Sequence, residues 1–269
     1  MSVKVKEIID YLHSIAPNEL QESYDNAGLI VGSENNIVKK VMVSLDTTPA
    51  VIDDAIKQGC NLVVSHHPIV FKGIKRFIDG YYVHDTVIKA IKNDISIFAI
   101  HTNLDNVYLN GVSTKMAEIL GLSDVKILLP TNYYSSEFSN SYGAGAIGIL
   151  SNPIKPTYFI SHVKEKFQLQ CLKYTDLCRN AITKVAVCGG SGSFLIQRAI
   201  DVGADVLITS DVKYHEFFDA NGQIIILDIG HYESEKHVIR LLADLLKSQF
   251  TPISILETSI NTNPVSYSA

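Results

Sequence analysis

The sequence predicts an α/β protein made of two similar α/β lobes with largely parallel sheets. Short runs of β-branched and aliphatic residues recur along the chain, and segments with helical periodicity lie between them. Runs made almost entirely of valine, isoleucine and leucine are typical of strands that are covered on both faces, which favours parallel sheets flanked by helices. The predicted strands lie at 38–46, 60–66, 95–101, 184–190, 205–211 and 223–230.

The predicted helices alternate with these strands except across one segment. The helical segments are Pro49–Gly59, Asp85–Asn93, Val112–Gly121, Ser193–Gly203 and Glu233–Lys247. Between residues 130 and 179 the alternation stops, and serine, asparagine, glycine and proline residues indicate turns. The boundary is therefore predicted near residue 130, with lobes 1–130 and 131–269 facing a central cleft. Packing of the C-terminal helix on the first lobe is left open.

The composition excludes several classes of protein. Acidic and basic residues are dispersed, the formal net charge is −5, and there is no basic arm, so direct nucleic-acid binding is not expected. No segment has the roughly 18 uninterrupted apolar residues that span a bilayer, and the N-terminus lacks the apolar region of a secretion signal. The four cysteines form no CxxC pair, which favours reduced thiols in a cytoplasmic protein.

Three predicted strands end in residue types that bind metal ions. The first strand leads into SHHP, the second into HTNLD and the third into DIGHYESE. Ligands gather beyond the carboxyl ends of parallel strands, so polar residues at these ends have raised odds of a function. The candidate metal ligands are His66, His67, Asp105, His231 and Glu235, with His101 beside them.

Local geometry favours two ions over one. Adjacent residues of an extended strand point to opposite sides, so His66 and His67 serve two neighbouring ions more easily than a single ion. His231 and Glu235 share one face of a predicted helix at positions i and i+4, and a carboxylate there can bridge two ions. Nitrogen and oxygen ligands without thiolate suit Zn, Mn, Fe, Co or Ni.

Each motif also has a structural interpretation. A histidine pair at a strand end is more often hydrogen-bonded than metal-bound, and an aspartate after a strand is commonly a helix cap. An acidic first helical turn also complements the helix dipole. The convergence of all three motifs on the same kind of strand end favours metal binding.

Each of three further motifs allows two interpretations. The CGGSGS segment at 188–193 joins a strand to a helix, which indicates a tight turn or, alternatively, an anion site. Asp211 and His215 stand four residues apart after another strand end, where cap and core roles compete with orienting a ligand or transferring a proton. The polar ESYDNAGL segment at 22–29 is either a cap and turn or part of a cleft wall.

Together these motifs resemble the Nif-three-like family, whose members are often labelled GTP cyclohydrolase I type 2 homologues. ESYDNAGLIVG, SHHPIVFKGIK, HTNLDN, CGGSGS, SDVKYHEFFDA and DIGHYESE follow the family's signatures in order across nearly the whole chain. The resemblance implies a two-lobed fold, a dinuclear metal site in the cleft and a hexameric ring. It also implies that the ligands are His66, His67, Asp105, His231 and Glu235. Tyr24 stands where the family often has tryptophan, and the central insertion domain of longer members is absent.

The expected function is hydrolysis that depends on two divalent metal ions. Two close ions can lower the pKa of a water bound between them toward neutrality. The family resemblance narrows the substrate to a small molecule, GTP, whose ring would be opened. Catalytic roles are expected for Asp105, Glu235, His101 and His215. The alternative is a metal-binding scaffold or regulatory protein without catalysis, whose ions would have closed coordination.

Overall fold

Two α/β units make up the chain in the computed structural model, which describes residues 2–131 and 142–268. Unit 1 comprises Met1–Leu104 and Val238–Pro264, and unit 2 comprises Asp105–His237 and Val265–Ala269. The sequence places the boundary near residue 130, later than the division after Leu104. The difference arises because residues 105–130 pack with the second sheet, to which the strand at 123–130 belongs.

The strands and helices follow the alternation that the sequence predicts. The strands are β1 (Gly28–Val31), β2 (Lys40–Ser44), β3 (Leu62–Ser65), β4 (Ser96–Ala99), β5 (Ser123–Pro130), β6 (Gly143–Ile154), β7 (Lys173–Tyr174), β8 (Ile182–Ser191), β9 (Val206–Ser210), β10 (Ile225–Asp228) and β11 (Ser254–Glu257). The α-helices are α1 (Val5–Ile15), α2 (Pro49–Gln58), α3 (Tyr82–Lys92), α4 (Thr102–Asp105), α5 (Val112–Ile119), α6 (Pro156–Phe167), α7 (Ile196–Asp201), α8 (His231–Glu235) and α9 (His237–Gln249). Short 3-10 helices lie at Asn18–Leu20, Ser193–Leu195 and Tyr214–Ala220.

The sheet of unit 1 is largely parallel, as predicted. Its strand order is β1-β4-β3-β2-β11, and only the edge strand β1 runs antiparallel to its neighbour. Helices α2 and α3 bury their apolar faces in one core cluster with Met42, Val63 and Ile97 of the sheet. β2, β3 and β4 end at the same edge because Ser44 pairs with Ser65, and Ser65 pairs with Ala99.

The beginning and end of α2 illustrate how local sequence defines these elements. Thr48 is the N-cap, and its side chain accepts a hydrogen bond from the Val51 amide at 3.3 Å. Pro49 occupies the first turn, where a missing N–H costs nothing. Gly59 ends the helix at φ 72°, a left-handed conformation that favours glycine.

The sheet of unit 2 is mixed, which differs from the largely parallel sheet that the sequence predicts. Its order is β5-β6-β8-β9-β10-β7, with parallel pairing only between β8 and β9 and between β9 and β10. The antiparallel pair β5 and β6 falls where the sequence shows turn signals after residue 130. Glycines suit this pair because a Cβ at Gly143 would lie 2.2 Å from the Leu129 carbonyl oxygen. Residues 132–141 of the turn-rich segment lie outside the described residues.

Both faces of this mixed sheet are covered. One core cluster joins Val185, Val206 and Ile225 to Phe159 and Val163 of α6. The other joins Ala186, Leu207 and Ile226 to Ile196 and Ala199 of α7. No helix among the described residues is long and apolar enough to cross a membrane.

Candidate metal centre

Three histidines lie together at one edge of the unit 1 sheet. His66 and His67 follow β3, and His101 follows β4 two residues after its end. Their ring centroids are 5.0 to 5.2 Å apart, and one ligand nitrogen of each lies within 4.8 Å of the other two. We call these three residues the histidine set. It arises because β3 and β4 are parallel neighbours that end at the same level.

Each histidine of this set has its Nδ1 atom beside a hydrogen-bond acceptor. The three acceptors are an oxygen of Ile100 at 2.8 Å from His66, of Asp46 at 2.7 Å from His67, and of Asp25 at 2.8 Å from His101. Carbonyl and carboxylate oxygens only accept, so in the neutral ring Nδ1 carries the proton and the Nε2 atom keeps its lone pair. This is the arrangement by which outer residues orient imidazole ligands of a metal ion and raise their basicity.

Asp25 and Asp46 are themselves held in place. The second carboxylate oxygen of Asp25 accepts from the Thr102 hydroxyl at 2.5 Å and from the Thr102 amide at 3.1 Å. Thr262 donates its hydroxyl to Asp46 at 2.6 Å. Burial raises the pKa of the Asp25 carboxyl, but hydrogen bonds from His101 and Thr102 outweigh this effect and lower the pKa to about 2. Asp25 therefore stays ionised, and the ESYDNAGL segment supplies a carboxylate that positions His101.

A second group of side chains that could hold a metal ion lies in unit 2, and we call Asp105, His231 and Glu235 the carboxylate set. Gly230 precedes α8 at φ 91°, and α8 then presents His231 and Glu235 one turn apart. The Nε2 atom of His231 lies 3.0 Å from an oxygen of Glu235, which is only 2% exposed. An oxygen of Asp105 lies within 4.8 Å of Glu235.

The carboxylate set produces a strongly negative environment. Burial lowers the pKa of His231, but hydrogen bonds to Asp211 and Glu235 raise it to about 11. The Nδ1 atom of His231 donates to Asp211 at 2.5 Å, and this bond lowers the pKa of the Asp211 carboxyl. Burial, followed by the charges of Asp105 and Glu235, raises the pKa of the Cys188 thiol. In the absence of a metal ion, His231 therefore carries a proton that balances part of this charge.

The CGGSGS segment makes room for Glu235. Gly190 has φ 63°, and a Cβ added there would lie 2.4 Å from Oε1 of Glu235. The Gly190 amide donates to the Ser234 hydroxyl at 3.0 Å, and its carbonyl accepts from Thr209 at 2.9 Å. This geometry favours the tight-turn interpretation, because the Gly190 amide already has a partner within the protein.

The structure groups some predicted residues and separates others. His101 joins His66 and His67 in unit 1, and Asp211 bonds His231 and Ser191. Asp211 and His215, which stand four residues apart in the sequence, form no hydrogen bond with each other among the described residues. His215 lies exposed on the 3-10 helix at Tyr214–Ala220, with its ring stacked 6.3 Å from Phe218.

Sequence reasoning missed two positioning contributions. Asp46 follows β2 by two residues just as His67 follows β3, so its place at the end of a parallel strand was a usable signal. The need for Gly190 beside Glu235 had no such signal, because the two residues are 45 positions apart in the sequence.

Both sets consist of donors that suit a divalent cation. The histidine set offers three imidazole nitrogens, and the carboxylate set adds two acidic side chains and a fourth imidazole. Imidazole with carboxylate is the donor chemistry of Zn, Mn, Fe, Co and Ni sites. The buried histidine, glutamate and aspartate side chains of this chain are therefore suited to hold metal.

Known proteins resemble this chain along nearly its whole length. A "GTP cyclohydrolase 1 type 2 homolog" of Clostridium acetobutylicum is 33% identical over 268 residues, covering 97% of this chain and 98% of that protein. A protein of the same description from Campylobacter jejuni is 32% identical, covering 98% of this chain and 100% of that protein. The crystal structure of Staphylococcus aureus hypothetical protein SA1388 superposes with a TM-score of 0.90 at 29% identity, covering 99% of this chain and 100% of that chain.

A family model matches as well, and it spans residues 3–264. The resemblance seen in the sequence motifs is thereby confirmed, together with the α/β fold class. The chain belongs to the Duf34/NIF3 (NGG1p interacting factor 3) family.

Proposed function

We propose that this protein is a divalent-metal-dependent hydrolase with a dinuclear site whose ligands are His66, His67, Asp105, His231 and Glu235. The observation that carries the proposal is the Nδ1 contact of every residue of the histidine set, since it directs the Nε2 lone pairs of His66 and His67 toward ligation and that of His101 toward proton transfer. Structural histidines without a ligand have no need of a common tautomer. The negative charge of the carboxylate set also favours the binding of a cation.

The protein's own side chains have separate tasks in this proposal. When bound, the ions would lower the pKa of a bound water toward neutrality and would polarise the group that this water attacks. Asp25 holds His101 as its carboxylate partner, so that His101 can accept and return a proton during hydrolysis. Asp211 orients the ring of His231 through Nδ1 and leaves Nε2 for ligation.

The descriptions of the relatives support a choice of substrate class. Proteins about one-third identical over nearly the full chain are described as GTP cyclohydrolase 1 type 2 homologs. We therefore include in the proposal a nucleotide as substrate and ring opening of GTP as the reaction to test first. The proposal leaves His215 without a task at the metal, because its ring contacts those of Tyr214 and Phe218.

The test is turnover of a substrate panel by protein loaded with Zn, Mn, Fe, Co or Ni in turn. The panel contains GTP, other nucleotides, phosphoesters and cyclic amides. Metal-dependent hydrolysis of at least one member, lost on chelation and restored on reloading, is the expected result. If no member is hydrolysed at any metal loading and chelation unfolds the protein, the ions are structural and the scaffold alternative holds.

We further propose that the chain assembles into a homo-oligomer, a hexamer, in the cytoplasm. This part rests on family membership and on the composition. Light scattering on untagged protein tests it. A mass near six chains of 29.7 kDa each is expected, and a clean monomer would contradict the hexamer.

A further inference from the structure

One exposed loop of unit 1 combines cations with large apolar side chains. Residues 71–81, which we call the basic aromatic loop, lie between the histidine pair and α3. The loop carries Lys72, Lys75 and Arg76 against a single acid, Asp79. It is thus positive in a chain whose formal net charge is −5. A local positive region on an acidic protein attracts anions to that place.

The apolar side chains of the loop are exposed although its backbone is anchored. Phe71, Phe77, Ile78 and Tyr81 are 48%, 51%, 58% and 54% exposed. The Asn26 side chain donates to the Val70 carbonyl at 2.6 Å where the loop begins. Ile74 packs against the core of unit 1 in the middle of the loop. The exposure is therefore a property of an ordered loop, and clustered exposed apolar side chains of this kind mark binding surfaces.

The loop is fixed at its end as well. The Ile78 carbonyl lies 2.9 Å from Nδ1 of His84, and the Gly80 amide donates to Asp85 at 3.1 Å. His84 also contacts the rings of Phe77 and Tyr81, with centroids 5.8 and 5.1 Å away. Because the loop is already ordered, a ligand that binds here does not have to order it, and this favours high affinity.

The cations of the loop are available to a ligand. Within the part of the chain that the structure describes, Lys72, Lys75 and Arg76 form no ion pair with a carboxylate. Many other surface cations do, such as Lys89, which lies 2.7 Å from Asp53. Three cations within five residues suit an anion with several charged oxygens, because guanidinium and ammonium groups bind phosphate oxygens with charge-assisted hydrogen bonds.

The loop also adjoins the histidine set. The ring of Phe71 meets that of His101 edge to face, with centroids 5.7 Å apart. Phe71 is thus about half exposed beside a side chain of the proposed site. Exposed aromatic faces stack on planar heteroaromatic rings with little regard to ring identity.

We propose that the basic aromatic loop binds the substrate of this enzyme, and that this substrate is a phosphorylated planar aromatic compound. Lys72, Lys75 and Arg76 bind its phosphate oxygens, and Phe71 stacks on its ring system beside His101. The identification of the ligand as substrate rests on the proposed hydrolase function, whereas the binding itself does not require metal. The loop therefore determines which molecules reach the histidine set.

The test measures GTP binding to chelator-treated wild-type protein by calorimetry, with guanosine and inorganic tripolyphosphate as partial ligands. Arg76→Gln and Lys75→Gln remove cations of the loop, and Phe71→Leu removes its ring while keeping apolar bulk. Lys166→Gln, at an exposed lysine of α6 in unit 2, is the matched control for the loss of one charge. Melting curves show that each variant is folded.

The expected result is a dissociation constant for GTP that rises about tenfold in each cation variant and is unchanged in Lys166→Gln. Phe71→Leu should weaken the binding of guanosine and GTP but leave the binding of tripolyphosphate unchanged. Equal GTP affinity in all four variants would overturn the proposal. So would binding of phosphatidylglycerol vesicles or a single-stranded oligonucleotide through these residues without binding of GTP.

Failure of this inference differs from failure of the hydrolase proposal. If GTP binds through the loop but no metal supports turnover of any substrate, the loop assignment stands as a ligand site and the hydrolase proposal fails. If turnover occurs and the KM of Arg76→Gln and Lys75→Gln equals that of wild type, the hydrolase stands and the loop assignment fails.

Discussion

The histidine set and the carboxylate set differ in how the protein prepares them for a cation. In unit 1, acceptors at Nδ1 fix three imidazoles in one tautomer. In unit 2, the protonated ring of His231 lies between Asp211 at Nδ1 and Glu235 at Nε2, and a cation would replace the Nε2 proton. The histidine set is thus oriented before binding, whereas the carboxylate set must exchange a proton for the metal ion.

Unit 1 therefore supplies oriented histidine side chains, and unit 2 supplies the negative charge. Loss of an acceptor at Nδ1 in unit 1 should disturb the orientation of the histidine ring. Loss of a carboxylate in unit 2 should remove negative charge that attracts the cation. Variants in the two units therefore give different signatures, which the following experiments separate.

The largest effect is expected from Asp105→Asn. Asparagine keeps the size of the side chain but loses the anionic ligand, so turnover should fall more than about a hundredfold while the fold persists. Activity assays and thermal melts measure the two quantities. Asp201→Asn, at an exposed acid of α7, is the control. Full activity in Asp105→Asn would remove Asp105 from the site.

A smaller effect is expected from loss of the acceptors in unit 1. Asp46→Asn removes the acceptor of the ligand His67 and should lower metal affinity by about 10- to 100-fold, whereas Asp25→Asn removes the acceptor of His101 and should lower turnover by a similar factor. Calorimetric metal titration measures the first quantity, and activity assays measure the second. Asp53→Asn, which removes a surface partner of Lys89, should leave the affinity unchanged. Unchanged metal affinity in Asp46→Asn together with unchanged turnover in Asp25→Asn would show that tautomer control is unimportant.

Gly190→Ala tests the carboxylate set through packing. The new Cβ meets Glu235 in a left-handed backbone, so we expect a loss of about 2–3 kcal/mol in the free energy of unfolding, together with lower metal content. Gly203 has φ 71° and no atom within 4 Å of an added Cβ. Gly203→Ala should therefore cost only about 1 kcal/mol of backbone strain, with normal metal content. Equal losses in both variants would argue against contact with Glu235.

The smallest effect concerns pH in metal-free protein. The pKa of His231 is about 11 in the folded chain and 6.5 as an isolated side chain. Its contribution to stability is thus fully present below pH 6.5 and is lost as pH rises toward 11. Because His231 is partly exposed, the contribution should be no more than about 1 kcal/mol, or roughly 2–4 °C in the melting temperature.

Melting curves from pH 6 to pH 10 measure this contribution, with Asp211→Asn as the comparison. Asparagine tolerates the left-handed backbone at Asp211, where φ is 55°. This variant should show a smaller fall in melting temperature as pH rises. Metal uptake by the wild type should release protons and weaken as pH falls. A pH dependence identical in both proteins would contradict the role given to His231.

Local patterns predicted much of the fold, and their limits are physical. Apolar runs placed β2, β3, β4, β8, β9 and β10 within one or two residues, since buried strands have few alternatives. The pair β5 and β6 was missed because glycines and turn residues weaken the strand signal there, although a tight backbone approach requires them.

The partners of the site residues were harder to predict than the residues themselves. Asp211 and His215 stand four residues apart after a strand end, and the sequence alone did not identify a partner for either of them. The structure makes a 3-10 helix at His215 and brings Asp211 to His231, 20 residues away. Likewise, Asp25 reaches His101 across 76 residues. Such pairings depend on strand order, which spacing along the sequence does not encode.

Elemental analysis of purified wild type, Glu235→Ala and His215→Ala tests the central claim most directly. The account predicts up to two divalent ions per wild-type chain, a marked loss in Glu235→Ala, and no loss in His215→Ala. The reason is that Glu235 is buried against His231 near Asp105, whereas His215 stacks on an exposed ring. Full metal occupancy in Glu235→Ala would contradict the assignment of the carboxylate set.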